Sequence, residues 1–227
     1  MKLNPNHPAI TEKRTIHIKA RKSEDNPLKT VENNSKLGNG RKIVQKSKWK
    51  GQPMYSLTLE ERATCPPCEH YLDCYANMLM WGKRQSTDGL ELRLYSQLVD
   101  ISNKYPKGFV VRLHIAGDFY SAEYVKFWEQ CLKDFPQMTI FGYTARIGKH
   151  NDEDIYEELK RLIYKYQDRF LIRFSTNKTG RGKLMYAANE GFKGKHFQCP
   201  EQIGKTSSCL DCMACLTSKK TVMFKTH

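Results

Sequence analysis

The stretch from 107 to 176 constrains this chain most, because its hydrophobic period keeps switching between strand and helix. "FVVRLHIAG" (109–117) is a nearly continuous apolar run, the pattern of a strand buried on both faces of a parallel sheet. "SAEYVKFWEQCLKDF" (121–135) reads as a helix with Ser121 as N-cap and Val125, Trp128, Leu132 and Phe135 on one face. "QMTIFGYTA" (137–145) is a second strand. "NDEDIYEELKRLIYKY" (151–166) is a helix with Asn151 as N-cap and acids in its first turn, where the helix dipole favours them. "RFLIRFST" (169–176) is a third strand. This β-α-β-α-β order predicts a parallel sheet with right-handed crossovers. Upstream, "TDGLELRLYSQLVDISNKY" (87–105) is amphipathic, with apolar residues at 90, 94, 98 and 101. The fold expected is α/β, a partial, incomplete-barrel-like parallel β/α sheet with a basic N-terminal arm and a cysteine-rich, metal-organised C-terminal tail.

Residues 1–40 are polar and turn-rich, with "NPNHP", "EDNP" and "ENNSKLGNG". They read as an arm with short strands, alternating at Thr15 to Lys19, rather than as a core element. "RKIVQKSKW" (41–49) and "PMYSLTL" (53–59) read as two short strands around a turn at Gly51, and "YANMLMWGKR" (75–84) as a helical continuation of the cysteine stretch before it. The division expected is a basic arm over 1–52, an α/β core over 53–176 carrying a first cysteine motif, and a cysteine-rich segment over 177–227 packing on that core.

The chain has 227 residues, enough to bury a core without disulfide staples. Its mean hydropathy is -0.67, and no run approaches the roughly 18 apolar residues of a membrane span. The N-terminus lacks the apolar stretch of a signal peptide, so a cytoplasmic protein is expected, with no membrane partner. Clustered cysteines in a reducing compartment are metal ligands or redox groups more often than disulfides. The net charge is +14 and uneven: residues 1–52 carry 13 Lys/Arg against 4 Asp/Glu, and residues 172–227 carry 10 against 3. Two basic ends favour an anionic partner, either a small anionic molecule or nucleic acid.

Eight cysteines form two groups and a single. Cys199-x9-Cys209-x2-Cys212-x2-Cys215 contains the local spacing with which ferredoxins wrap a [4Fe–4S] cube, and Cys199 can supply the fourth thiolate. Zinc also accepts four cysteines, although it usually takes two pairs separated by a longer loop. Cys65-x2-Cys68-x5-Cys74 has three thiols. Structural zinc closed by His70 is one reading, and completion by a C-terminal cysteine or His227 is another. A third is a [4Fe–4S] cluster whose open iron acts as a Lewis acid. One or two clusters are expected. Cys131, in mid-helix, reads as a core thiol.

Ligands of parallel α/β sheets bind at the carboxyl ends of the strands. Those ends offer Gly117, for close backbone approach, with His114, Asp118, Tyr120 and Ser121. They also offer Tyr143, Thr144 and Arg146, then Arg173, Ser175, Asn177 and Lys178. Asp118, Arg146 and Lys178 are the candidate reacting groups: Asp118 as a base or ammonium partner, the two cations as anion holders. Gly117, Asp118 and Tyr143 are candidate cofactor contacts. Walker A loops, Rossmann glycine fingerprints and G-x-S-x-G elbows are absent from the sequence.

"NSKLGNG", "SLTLEERATCPPCEHYLDCYA", "RLHIAGDFYSAEYVKFW", "FGYTAR", "CPEQIGKTSSCLDCMACL" and "FKTH" together resemble the phage "gene product 88" family, over about residues 33–227. That resemblance implies a phage source, a host-cytoplasmic location and iron–sulfur content. "IAGDF" is also similar to the glycine-acid motif of radical S-adenosylmethionine enzymes, with Asp118 as the acid, which implies S-adenosylmethionine as a further cofactor. The triplet here is Cys-x2-Cys-x5-Cys, where those enzymes carry Cys-x3-Cys-x2-Cys. The function expected is a phage-type iron–sulfur protein, as an enzyme using an open cluster iron for hydrolase, lyase or radical chemistry. The alternatives are a nucleic-acid-binding protein with structural metal sites and a redox or regulatory partner.

Overall fold

A computed structural model describes residues 3–5, 7, 21–22, 24–68, 74, 76, 83–149, 151–176, 184–188 and 196–225. In chain order the strands are β1 (Arg21–Lys22), β2 (Lys29–Thr30), β3 (Met54–Ser56), β4 (Arg84–Gln85), β5 (Phe109–Leu113), β6 (Met138–Thr144), β7 (Phe170–Thr176), β8 (Leu184–Ala188), β9 (His196–Gln198) and β10 (Thr221–Lys225). The helices are α1 (Glu61–Thr64), α2 (Leu90–Lys104), α3 (Ala122–Asp134), α4 (Glu153–Lys165), α5 (Cys209–Cys212) and α6 (Ala214–Thr217).

Eight strands form one sheet in the order β2-β3-β5-β6-β7-β8-β10-β9, and β1 pairs with β4 in a separate two-stranded ladder. The centre, β3-β5-β6-β7, is parallel, in the register Val111↔Ile140 and Gly142↔Ile172. β2 joins β3 antiparallel, β8 joins β7 antiparallel, and β9 and β10 extend the sheet beyond β8. The molecule is thus mixed α/β with a mostly parallel sheet. The α2, α3 and α4 crossovers explain the parallel centre, since parallel neighbours need a long connection.

Alternation along the strands divides the core in two. Phe109, Val111, Leu113, Met138, Ile140, Phe170 and Ile172 face the helices. There they meet Leu90, Leu94, Leu98 and Ile101 of α2, with Val125, Trp128 and Leu132 of α3. Ser121 caps α3, its Oγ accepting from Tyr124 N at 3.0 Å, and Cys131 is buried in the same core. The cap of α4 differs from expectation. Asp152 occupies the N-cap, without a side-chain cap bond, while Asn151 precedes it in a left-handed conformation at φ 52°.

The opposite face carries Met54, Val110 and Phe141, and among the described residues no long helix covers it. Val31, Leu37, Val44 and Trp49 pack there with Leu210, Met213 and Leu216. Here the expectation of a peripheral arm is corrected. Residues 31–49 are a core layer, because the second sheet face would otherwise lie in water. Trp49 Nε1 donates to Thr139 Oγ1 at 2.9 Å. The "RKIVQKSKW" strand is also corrected: Ile43 makes a single bridge to Pro53, and 47–50 turn. Backbone bonds from Cys209 N to Lys36 O (2.9 Å), Leu210 N to Leu37 O (3.1 Å) and Gln45 N to Leu210 O (3.0 Å) knit this layer to the tail. The strand at Thr15–Lys19 and most of the helix at 75–84 lie outside the described residues.

Candidate functional site

The period-2 pattern that buries Val110 and Phe141 against the second layer brings Arg112, Tyr143, Arg173 and Ser175 onto the same face, nearer the carboxyl ends. There the layer opens into a cavity of about 230 Å³. Its walls include Cys65, Cys68 and Cys74 from one group and Cys199, Cys209 and Cys215 from the other, with Lys36, Arg112, His114, Gly117, Asp118 and Tyr143. Sites for drug-sized ligands run to roughly 300–1,000 Å³, so this volume suits a compact group. All eight cysteines are free thiols. Among the described residues no three His, Cys, Asp or Glu side chains are placed to hold a single metal ion. Thiolates sharing one zinc stand about 3.8 Å apart, given Zn–S bonds of about 2.3 Å in a tetrahedron.

Each cysteine group keeps its own electrostatic company. Burial, followed by the charges of Asp118, Cys74 and Cys68, pushes the Cys65 thiol well above its ordinary range. Burial does the same to Cys209, reinforced by Cys215 and Cys199 and opposed by Lys36 and Arg112. Burial also raises Cys215, while a hydrogen bond from Tyr143 and the charges of Arg173 and Arg112 oppose it. Tyr143 Oη donates to Cys215 Sγ at 2.7 Å, and the Arg112 guanidinium lies 4.9 Å from the Tyr143 ring centroid. Cys212 stands near Cys199 but outside the cavity lining. Arg173, 3% exposed, donates to the carbonyls of Cys215 (3.0 Å), Lys220 (2.9 Å) and Ser218, and so clamps the cysteine tail to β7.

The first group is positioned by a different set of bonds. α1 ends at Thr64, directly before Cys65. Arg146 donates to Thr64 O at 2.6 Å and to Phe119 O at 2.7 Å. Asp118 accepts from Phe119 N (2.8 Å), Thr144 Oγ1 (2.7 Å) and Ala145 N (2.7 Å), and its own N–H donates to Thr64 Oγ1 (3.2 Å). Burial raises the Asp118 pKa, and Arg146 and the three donors oppose that shift. Gly117 has φ +85°, and a Cβ there would stand 2.5 Å from Leu59 Cβ and 2.8 Å from Thr64 Oγ1. Its close approach is therefore to the segment that carries Cys65. Glu61 and Arg84 form a buried ion pair at 2.5 Å, and Arg84 also donates to Ala76 O at 3.3 Å, bracketing the triplet from both sides.

The sequence model of the Gene product 88 family matches residues 25–178, more than half of the chain. The chain belongs to the gene product 88 family. It is 27% identical over 141 residues to the Gene 88 protein of Mycobacterium phage D29, over 54% of this chain and 56% of that protein. It thus spans about half the length of the curated relative it matches. No solved structure matches it. The family match holds Cys65, Cys68, Cys74, Gly117, Asp118, Tyr143 and Arg146, and stops before the second cysteine group, short of the span to 227 that the motifs suggested.

Of the candidates, Gly117, Asp118, Tyr143 and six cysteines meet at the cavity, and Arg146 lies just behind it. Lys178, Asn177, His70 and His227 lie outside the described residues. Sequence reasoning missed Lys36 and Arg112. Arg112 had a legible signal, a charge inside an otherwise apolar strand. Lys36 had none, because only the tertiary fold brings it to the cavity. Among the described residues no helix is long and apolar enough to cross a membrane.

Proposed function

We propose that this family member is an iron–sulfur protein. Cys199, Cys209, Cys212 and Cys215 would hold one [4Fe–4S] centre and Cys65, Cys68 and Cys74 a second, facing each other across one cavity. The observation that carries this reading is the convergence of two cysteine groups from opposite ends of the chain. The donor set fits such a group. Soft thiolates select iron–sulfur clusters, copper(I) or zinc. Six of these thiols line a volume rather than a point, which favours a cluster over one zinc ion. Lys36, Arg112 and Arg173 stand beside the second group, where the negative charge of a thiolate-bound cluster needs compensation. When bound, such a centre supplies one-electron chemistry.

A redox role fits the protein groups better than hydrolysis or lysis. Both carboxylate oxygens of Asp118 are engaged by protein donors, and Arg146 is engaged by two carbonyls. These groups support the loops that present Cys65. An open-iron enzyme, whether Lewis-acid or S-adenosylmethionine-dependent, would need a reacting group beyond these two. The test is anaerobic reconstitution with iron and sulfide. A brown protein holding iron and sulfide in equal amounts is expected, with Cys65→Ala and Cys212→Ala each removing part of the load. A colourless protein with stoichiometric zinc would sink the proposal.

A second reading, nucleic-acid binding around structural metal sites, draws on a groove of about 950 Å³ bordered by Lys48, Lys160 and Lys219. It requires binding to DNA or RNA whose affinity falls on a straight line of log K against the logarithm of salt concentration. Flow-through at low salt would remove it.

A further inference from the structure

Cys215, in α6, is held at two points by neighbouring positions of the sheet. Tyr143 of β6 pairs in register with Arg173 of β7, so both side chains stand on the second sheet face. Arg173 Nε donates to the carbonyl of Cys215 at 3.0 Å, and Tyr143 Oη donates to its Sγ at 2.7 Å. The first bond fixes where the residue sits in the chain. The second acts on the atom that would bond iron.

Two neighbours keep the phenol aimed this way. The Arg112 guanidinium lies 4.9 Å from the ring centroid, and Phe224 meets the ring edge-on at 5.3 Å and 90°. A cation against the ring face is attracted to its π electrons, and it draws density from the phenol, which makes the O–H a better donor. Packing alone would need the ring and not the hydroxyl, since phenylalanine could make both ring contacts. The choice of acceptor is equally informative. A thiol sulfur accepts hydrogen bonds weakly, whereas an acceptor carrying negative charge accepts about twice as strongly as a neutral one. The Tyr143 hydroxyl is therefore matched to Cys215 as a metal-bound thiolate.

We propose that Tyr143 tunes the centre held by Cys199, Cys209, Cys212 and Cys215, its hydroxyl donating to the iron-bound Cys215 sulfur and raising the reduction potential. The proposal rests on the iron–sulfur reading above. An electron added to such a centre puts more negative charge on its sulfurs. A donor aimed at one sulfur then stabilises the reduced form more than the oxidised form. Hydrogen bonds to the sulfurs are among the levers that set these potentials.

The experiment is a redox titration of the anaerobically reconstituted protein, followed by electron paramagnetic resonance. The signal of interest is the one that survives Cys65→Ala and is lost in Cys212→Ala. Tyr143→Phe removes only the hydroxyl and should keep the wild-type content of iron and sulfide. It should lower the potential of that signal by the equivalent of about tenfold in the one-electron equilibrium, about 59 mV, and leave the other centre unmoved. Protein grown on 3-fluorotyrosine should shift the opposite way, because a more acidic phenol donates more strongly, and Tyr143→Phe should abolish that rise. An unmoved potential in fully loaded Tyr143→Phe overturns the proposal, as does an equal shift of both centres. If Tyr143→Phe loses the centre altogether, the fluorotyrosine protein decides, and no rise in its potential overturns the proposal. A wild type that assembles no cluster, or one whose whole signal is lost in either cysteine variant, overturns the two-centre reading as well. A wild type with both centres and an unmoved potential overturns only the role of Tyr143.

Discussion

Gly117 and Arg146 act on the same short segment, the turn from α1 into Cys65. An alanine at 117 would place its Cβ 2.5 Å from Leu59 Cβ, with φ held at +85°. The clash and the left-handed backbone together predict a loss of about 2–4 kcal/mol for Gly117→Ala, read from the denaturant midpoint. Arg146→Ala removes the donors to Thr64 O and Phe119 O and leaves Asp118 without the cation that opposes the effect of its burial. A loss of about 2–3 kcal/mol is expected, since part-buried carbonyls go unpaired beside a buried carboxylate. On the iron–sulfur reading, Arg146→Ala should also release iron to a chelator faster than wild type while the second group keeps its share. Equal stability and equal iron retention would show that Arg146 does not position the triplet. The same geometry bonds Asp118 and Arg146 to the backbone around Cys65, a placement that residue type alone does not give.

Between elements, α3 and α4 are joined by an ionic contact. Glu129 on α3 accepts from Arg161, at 3.2 Å for one of its bonds, and from Lys165 at 2.8 Å, both on α4. The Arg161 hydrogen bond, opposed by partial burial and aided by Lys165, lowers the Glu129 pKa to about 2 from an ordinary 4.5. A carboxylate lowered on folding stabilises the native state fully above its ordinary pKa. That stability fades as pH falls from about 4.5 to about 2. The partner cations are half exposed, so solvent screening keeps the contribution to about 1–2 kcal/mol. Glu129→Gln should therefore unfold at lower denaturant than wild type at pH 7, with the gap closing toward pH 2. A gap independent of pH would assign the effect to packing. Elsewhere the helices hold by burial, and Trp128→Ala in the α3 core should cost about 3–5 kcal/mol.

Across the whole molecule, the second sheet face is built from both ends of the chain, and Arg173 is the clamp. Arg173→Ala leaves three carbonyls of the tail without their donor. Destabilisation of about 2–4 kcal/mol is expected, with hydrogen exchange rising across 209–220 before the β5–β6 centre opens. On the iron–sulfur reading, removing iron with a chelator should loosen both 60–68 and 209–217, because both wall one cavity and a bound group stabilises whatever holds it. Loosening of only one segment would place the metal in one cysteine group alone.

The sequence by itself determined the parallel centre, the three helices beside it and the residues that α2 and α3 bury. Those follow from local periodicity and from the length of the crossovers. It also marked the cysteines, since their spacing is a local property, and pointed to the family that residues 25–178 match. It misread residues 31–49 as periphery, because a layer without helix or strand period has no pattern to read; its four buried side chains become core only when a bare sheet face needs cover. The tertiary structure alone decided that the two cysteine groups share a cavity, that Arg112 and Lys36 line it, and that Asp118 and Arg146 serve the backbone around it. Each of these depends on side chains far apart in the chain meeting at the strand ends, a distance that no local spacing encodes.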